Sequence, residues 1–460
     1  MLGGKSAGTV LNKDRFRMDY HLTPPQGWMN DPNGLCRADG WYHVFFQHAP
    51  SYPAAGERGW GHYRSRDLLN WEFTGTAARP DQPFDKDGVY SGSAILKDGQ
   101  INLFYTGNVK EPGDYDYINE GRGSATVRAF CRDGATLSDK HVVLRMEDYP
   151  AGYSCHIRDP KVWEEKDGYY MVLGARTLSS EGRALLYHSR DLEKWDFCHE
   201  FKENEPFGYM WECPDMIIAD DKYYLSVSPQ GVPRGKYRLQ NIYQSGYFPI
   251  FGDFRDDYAL GDFRQWDYGF DFYAPQTFLD ENGRRLLIAW MGLPDIDKEY
   301  TNPTKGWIHA LTMPREIHRR ADGFLCQLPA KEFQKLRGDK TTLLHGESAD
   351  MGLSFEAELV NEAAEDFTLS IADDLKLIYN KQEGTFAMRF IGDLGSGRTE
   401  RVMRTRPVVS CRVFMDHSCV EVFLNDGESV MTSRLYPKKD TIAVTIESPS
   451  ASASLWTLDN

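Results

Sequence analysis

Apolar residues in the first three hundred positions fall into short runs, each entered through a turn rich in Asp, Asn or Gly. The runs are DGWYHVFFQ (39–47), DGQINLFYTG (98–107), DGYYMVLGA (167–175), DDKYYLSVS (220–228) and NGRRLLIAW (282–290). They are too short for helices and rich in aromatic and aliphatic residues, which predicts strands. Ahead of each lies a second run with a polar opening and an apolar continuation: WMNDPNGL (28–35), YSGSAIL (90–96), IRDPKVW (157–163), WECPDMI (211–217) and YAPQTFL (273–279). The pairs recur every roughly 50 to 70 residues, the length of one four-stranded sheet with its loops. A further echo links YRSRDLLNWEF (63–73) to YHSRDLEKWDF (187–197). A plain β-sandwich also places short strands between Asp-Gly turns, but the fixed order of the two pieces favours a radial repeat. The expectation is a five-bladed β-propeller over residues 15–318.

The pattern then changes. Residues 319–340 read as a linker, with a short helix from Pro329 through Leu336. Alternating runs follow, among them LSFEAEL (353–359), FTLSIA (367–372), CRVFMD (411–416) and CVEVFLNDGESVMTSRLY (419–436), with Asn425-Asp426-Gly427 as a hairpin turn. Residues 341–460 are therefore expected to form a β-sandwich, and the chain as a whole is expected to be all-β.

Bulk properties narrow the function. A chain of 460 residues exceeds one ordinary core. A net charge of -15 opposes nucleic acid and anionic membranes as partners. No run of 18 apolar residues occurs, and the N-terminal residues lack an apolar leader, which predicts a cytoplasmic protein. Eight scattered cysteines without a Cys-x-x-Cys pair predict reduced, mostly buried thiols and no structural zinc. Nothing in the pattern sets an oligomeric state.

In a propeller the first strand of each blade starts near the axis, so Asp31, Asp159 and Glu212 would meet in one pocket. Clustered like charges oppose stability and so point to chemistry. Two carboxylates in opposite roles are what cleavage of a glycosidic bond requires. Asp31, in the turn-like Asn30-Asp31-Pro32-Asn33-Gly34, is expected to stay ionised through nearby turn amides. Glu212, framed by Trp211, Cys213 and Pro214, is expected to sit in an apolar setting suited to a general acid. Arg158 would keep Asp159 ionised as an acceptor for sugar hydroxyls. Trp28, Trp60, Tyr90, Trp211, Tyr273 and Trp290 are candidates for stacking on sugar rings, and Asn30, Gln47 and Ser91 for reading hydroxyls. For each Trp, packing between blades is the competing role; for Asp159 and Asp215 it is a turn or ion pair.

The ordered motifs Trp28-Met29-Asn30-Asp31-Pro32-Asn33-Gly34, Arg158-Asp159-Pro160 and Glu212-Cys213-Pro214-Asp215 resemble glycoside hydrolase family 32, the invertases, sucrose-6-phosphate hydrolases and fructanases. Phe45-Phe46-Gln47, Trp60-Gly61-His62, Tyr90-Ser91-Gly92-Ser93-Ala94 and VEVFLNDGE agree. The resemblance runs from about residue 18 to the C-terminus. It implies a propeller followed by a sandwich and a retaining reaction through a fructosyl-enzyme. It implies Asp31 as nucleophile, Glu212 as acid/base and Asp159 as transition-state stabiliser. Trp28, Met29, Asn30, Gln47, Trp60, Tyr90, Ser91, Arg158 and Trp290 would line the fructose subsite. Neither metal nor cofactor is implied. Tyr90 stands where a Phe is common.

The expected substrate is a small sugar, sucrose or sucrose 6-phosphate. PRGKYRLQNIYQSGYF (233–248) resembles the matching segment of bacterial sucrose-6-phosphate hydrolases, with Arg234, Lys236 and Arg238 as cations that could meet a phosphate. The acidic loop EPGDYDYINEG (111–121) would oppose an anion if it bordered the pocket. The alternatives are an exo-fructanase acting on fructo-oligosaccharides and a catalytically silent sugar-binding relative.

Overall fold

The computed structural model describes residues 14–54, 56–131 and 136–459. The first residues, on which most of the leader-free reading rests, lie outside this range. Each predicted pair of runs forms the first two strands of an antiparallel sheet. The first strands are Gly27–Ala38, Val89–Lys97, Tyr153–Glu165, Met210–Ala219 and Tyr273–Leu279. The second strands are Trp41–Ala49, Gln100–Lys110, Gly168–Thr177, Lys222–Gln230 and Arg285–Met291. The connecting turns are tight, with Asp39 and Gly40 at φ of 49° and 76° and Asp98 and Gly99 at 52° and 73°, the left-handed pair a two-residue hairpin needs.

Five sheets of four or five strands result, built in chain order except that the late strand Trp307–Ile308 adds in parallel to Gly27–Ala38 in the first. Each first strand packs on the first strand of the next sheet, and Gly27–Ala38 packs on Tyr273–Leu279, so the contacts close a cycle. The second strands explain why their apolar runs are continuous rather than alternating. Phe45 faces the seam shared with the second sheet, while Phe46 faces the seam shared with the fifth. Met171 and Val172 divide in the same way between the second and fourth sheets. A strand buried on both faces has no polar side to alternate with.

The echoed Ser-Arg-Asp-Leu motifs fold identically. Ser65 Oγ accepts the Leu68 amide at 3.0 Å, and the Trp71 indole donates to the Leu68 carbonyl at 3.1 Å. Ser189, Leu192 and Trp195 repeat this at 2.9 and 3.3 Å. In both turns the leucine is left-handed, at φ of 65° and 70°.

The expected linker differs from the reading. Its Asp322-Gly323 turn is a hairpin joining Arg315–Arg319 to Leu325–Pro329, the last strand of the fifth sheet. The expected helix is a 3₁₀ segment, Lys331–Leu336, which buries Phe333 and Leu336 and has no side-chain cap. Such segments stay short because their hydrogen-bond geometry is poor. Arg337–Leu343 already pairs with Ser452–Leu458 in the C-terminal region.

That region consists of two six-stranded antiparallel sheets around one apolar core. Asn425-Asp426-Gly427 makes the expected hairpin between Cys419–Leu424 and Ser429–Arg434. Fully buried Arg315 ties it to the fifth sheet, donating to Glu421 at 2.6 and 2.9 Å and to Thr432 at 2.6 Å. Seven of the eight free cysteines are buried. Among the described residues no helix is long and apolar enough to cross a membrane.

Candidate active site

The first strand of every sheet in the cycle breaks its ladder at the same level. The register slips between Met29 and Pro32, Tyr90 and Gly92, Arg158 and Lys161, Glu212 and Asp215, and Tyr273 and Gln276. Proline occupies four of these breaks, at Pro32, Pro160, Pro214 and Pro275, and it has no amide to donate to a ladder. In three of them the residue before it is left-handed: Asp159, Cys213 and Ala274 at φ of 65°, 46° and 48°. Such backbone costs about 1–3 kcal/mol per residue and persists where the surroundings enforce it.

The surroundings here are side chains of the preceding sheet. The Gly92 amide donates to Asn33 Oδ1 at 3.0 Å and the Asp159 amide to Thr106 Oγ1 at 2.9 Å. The Cys213 amide donates to Asp159 Oδ2 at 3.0 Å and the Ala274 amide to Ser228 Oγ at 3.2 Å. Gly92 is a glycine by necessity, because a Cβ would fall 1.8 Å from the Phe104 carbonyl oxygen. Bulges of this kind re-aim side chains.

They aim Asp31, Asp159 and Glu212 into one cavity of about 170 Å³. Asp31 Oδ2 accepts the Ser91 hydroxyl at 2.6 Å and lies 3.6 Å from Cys213 Sγ. Its Oδ1 has no partner among the described residues. Burial pushes Asp31 up to about 7; Ser91 opposes this, and the charges of Asp159 and Glu212 add to it. Burial likewise pushes Asp159 up to about 6, against the pull of Arg158, whose Nε is 3.8 Å away. The Cys213 thiol is driven well above its ordinary value by burial and the surrounding carboxylates, so it stays a donor.

Glu212 accepts three hydrogen bonds, from Arg158 Nη2 at 2.6 Å, Gln230 Nε2 at 2.7 Å and the Tyr273 hydroxyl at 2.7 Å. Arg158 is fixed from its other side, donating to His156 Nδ1 at 2.5 Å, while His156 Nε2 donates to the Tyr117 carbonyl at 3.0 Å. Burial and the neighbouring arginine push His156 down to about 3, so the ring is neutral and can accept.

Nine of the twelve expected site residues line the cavity: the three acids with Trp28, Asn30, Gln47, Tyr90, Ser91 and Arg158. Met29, Trp60 and Trp290 do not; all three are buried in the packing behind it. Trp60 supports the wall by donating to the Tyr90 carbonyl at 3.2 Å, and Trp290 packs edge-on against Tyr273 and His309. Trp211 is core as well, donating to the Phe207 carbonyl at 2.8 Å, so it cannot stack on a sugar.

Two environments are the reverse of the expectation. Asp31 is on a bulged strand rather than a turn, and no backbone amide reaches its carboxylate among the described residues. The carboxylate of Glu212 is not in an apolar setting but is surrounded by donors from other strands. Sequence reasoning also missed Arg58, Arg122 and His48 on the cavity wall. Isolated basic residues in polar stretches carry no signal that would single them out.

Comparison with known proteins agrees with this architecture. Residues 21–329 match the glycosyl hydrolases family 32 N-terminal domain and residues 327–459 its C-terminal domain. The chain is 38% identical to a sucrose-6-phosphate hydrolase from Bacillus subtilis, over 98% of this chain and 95% of the relative. It superposes on a sucrose-6-phosphate hydrolase from Lactobacillus gasseri with a TM-score of 0.88 at 27% identity, covering 97% and 94% of the two chains. A variant β-fructofuranosidase from Bombyx mori, solved in complex with sucrose, gives 0.84 at 29% identity, covering 97% and 95%. With both of its halves matched in order, the chain belongs to glycoside hydrolase family 32.

Proposed function

We propose that the protein is a β-fructofuranosidase that cleaves the terminal fructosyl bond of sucrose or sucrose 6-phosphate with retention. The observation that carries this reading is the meeting of three carboxylates, each from the broken first strand of a different sheet, around one cavity. The cycle of five sheets is read as a five-bladed propeller supporting that cavity. The chain passes from it to a C-terminal sandwich through the Lys331–Leu336 segment.

In this reading Asp31 Oδ1 attacks the anomeric C2 of the fructosyl unit while Glu212 gives a proton to the departing glycosidic oxygen. Glu212 then takes a proton from water, which attacks C2 and frees Asp31. Asp159 uses its remaining oxygen to hold fructosyl hydroxyls. Its position is set by the Cys213 amide at 3.0 Å. Three carboxylates in one cavity share protons as a group. Catalysis requires the state in which Asp31 is ionised and Glu212 protonated, and positive charge developing on the fructosyl ring favours the anion at Asp31. The Ser91 and Cys213 donors stabilise that anion.

The test is an assay of the purified protein for glucose or glucose 6-phosphate released from sucrose and from sucrose 6-phosphate. Release from at least one is expected. A folded protein that cleaves neither contradicts the assignment.

A further inference from the structure

Two cations of the cavity wall have no part in this chemistry. Arg122 opens the strand Arg122–Cys131 of the second sheet, and Arg58 precedes Gly59–Ser65 of the first. Neither guanidinium has a hydrogen-bond or ion-pair partner among the described residues, and Arg122 Nε is buried and unsatisfied. Arg58 is exposed, but Arg122 is half-buried, and unlike Arg158, Arg284, Arg315 and Arg398, which pair with Glu212, Asp280, Glu421 and Asp271, it has no carboxylate partner among the described residues. In a chain of net charge -15, carboxylates are not scarce. Burial, with Arg158 nearby, pulls Arg122 below its ordinary value, against the opposing influence of Tyr90, Cys155 and Glu212.

Tyr90 lies near both. Arg58 Cβ and the Tyr90 ring both close on Gly88, and Tyr90 is among the groups acting on Arg122. The Arg58 guanidinium sits 5.6 Å from the centre of the Trp28 ring. Both arginines line the cavity that holds Asp31 and Glu212, so in the fructosidase reading the part of the substrate beyond the scissile bond is directed toward them. A neutral glucosyl unit offers oxygens to these N–H groups but leaves their charge unmatched. A phosphate satisfies both.

We infer that Arg122, with Arg58, binds the phosphate of a 6-phosphorylated glucosyl unit, making sucrose 6-phosphate the favoured substrate. This rests on the fructosidase reading above. The cations expected from sequence for this role are engaged elsewhere. Arg234 pairs with Glu299, Lys236 lies over Tyr237, and Arg238 lines a separate cavity with Tyr268 and Arg404. The acidic loop runs directly into Arg122, but its carboxylates, Glu111, Asp114, Asp116 and Glu120, do not line the cavity, and that of Asp116 accepts the amides of Ile118 and Asn119.

The test compares kcat/KM for sucrose 6-phosphate and for sucrose in the wild type and in Arg122→Met, Arg122→Lys and Arg58→Met, with thermal melts confirming the fold. The wild type is expected to favour the phosphorylated substrate. Arg122→Met should lower the ratio of the two values by about tenfold or more, with Arg58→Met smaller and Arg122→Lys intermediate. Glucose 6-phosphate should inhibit the wild type more strongly than glucose does, a comparison that needs no variant. Equal losses on both substrates, an unmoved ratio, or a wild type without preference overturns the inference and leaves the fructosidase reading intact. Cleavage of neither substrate overturns the fructosidase reading itself.

Discussion

The two halves of the molecule treat the β-ladder in opposite ways. In the five sheets of the first half every inner strand slips register at one level, and three of these slips hold a left-handed residue that is not glycine. In the two C-terminal sheets the ladders run without interruption, apart from one slip between Arg337 and Lys340. Their shared core is apolar, whereas the centre of the first half gathers three carboxylates. Regular pairing serves stability, and the broken strands carry the chemistry, stitched together by side-chain acceptors from one sheet to the next.

Substitutions should separate these two roles. The largest effect is expected from Asp31→Asn and Glu212→Gln, each lowering turnover by about a thousandfold or more with the fold intact; kinetics and circular dichroism together check this. Next is Phe386→Ala in the C-terminal core, where a fully buried ring is removed. It should cost about 3–5 kcal/mol in denaturant unfolding while leaving kcat of the folded fraction near wild type. Loss of turnover without loss of stability there would erase the distinction.

A third expectation concerns the energetic cost of the site. Burial raises the folded pKa of Asp31 to about 7, above its ordinary value of 3.8. The native state therefore binds the extra proton, and stability falls as pH rises between these values. Asp31→Asn removes that cost, so its melting temperature should exceed the wild type's at pH 8, and the difference should vanish near pH 4. A variant less stable than wild type at pH 8 would contradict the origin assigned to the shift. The smallest effect is expected from Ser91→Ala. Without this donor the Asp31 anion is less favoured, and the acid limb of kcat/KM should move up by about one pH unit.

Much of the first half was legible because its paired runs recur in one order behind Asp- or Gly-bearing turns; the breaks in its ladders, at prolines, were not read. Asp31, Asp159, Cys213 and Ala274 each precede a proline, at the point where a ladder must break. The direction of the large apolar side chains was not legible. Met29, Trp60 and Trp290 belong to strands packed on both faces, so alternation does not tell cavity wall from the packing behind it. The setting of Glu212 was misread because its neighbours in the chain are not its neighbours in space; Arg158, Gln230 and Tyr273 come from other strands. The supposed linker was a matter of weighting. Its Asp322-Gly323 turn is of the kind that opens the earlier runs, and the change in composition around it hid the last strand of the fifth sheet.

The most direct test of the account is to quench the wild-type protein with acid during turnover of sucrose 6-phosphate and map its peptides by mass spectrometry. A hexosyl adduct on the peptide carrying Asp31, absent from the Asp31→Asn variant, is the predicted result. An adduct on a different residue, or rapid turnover by Asp31→Asn, would contradict it.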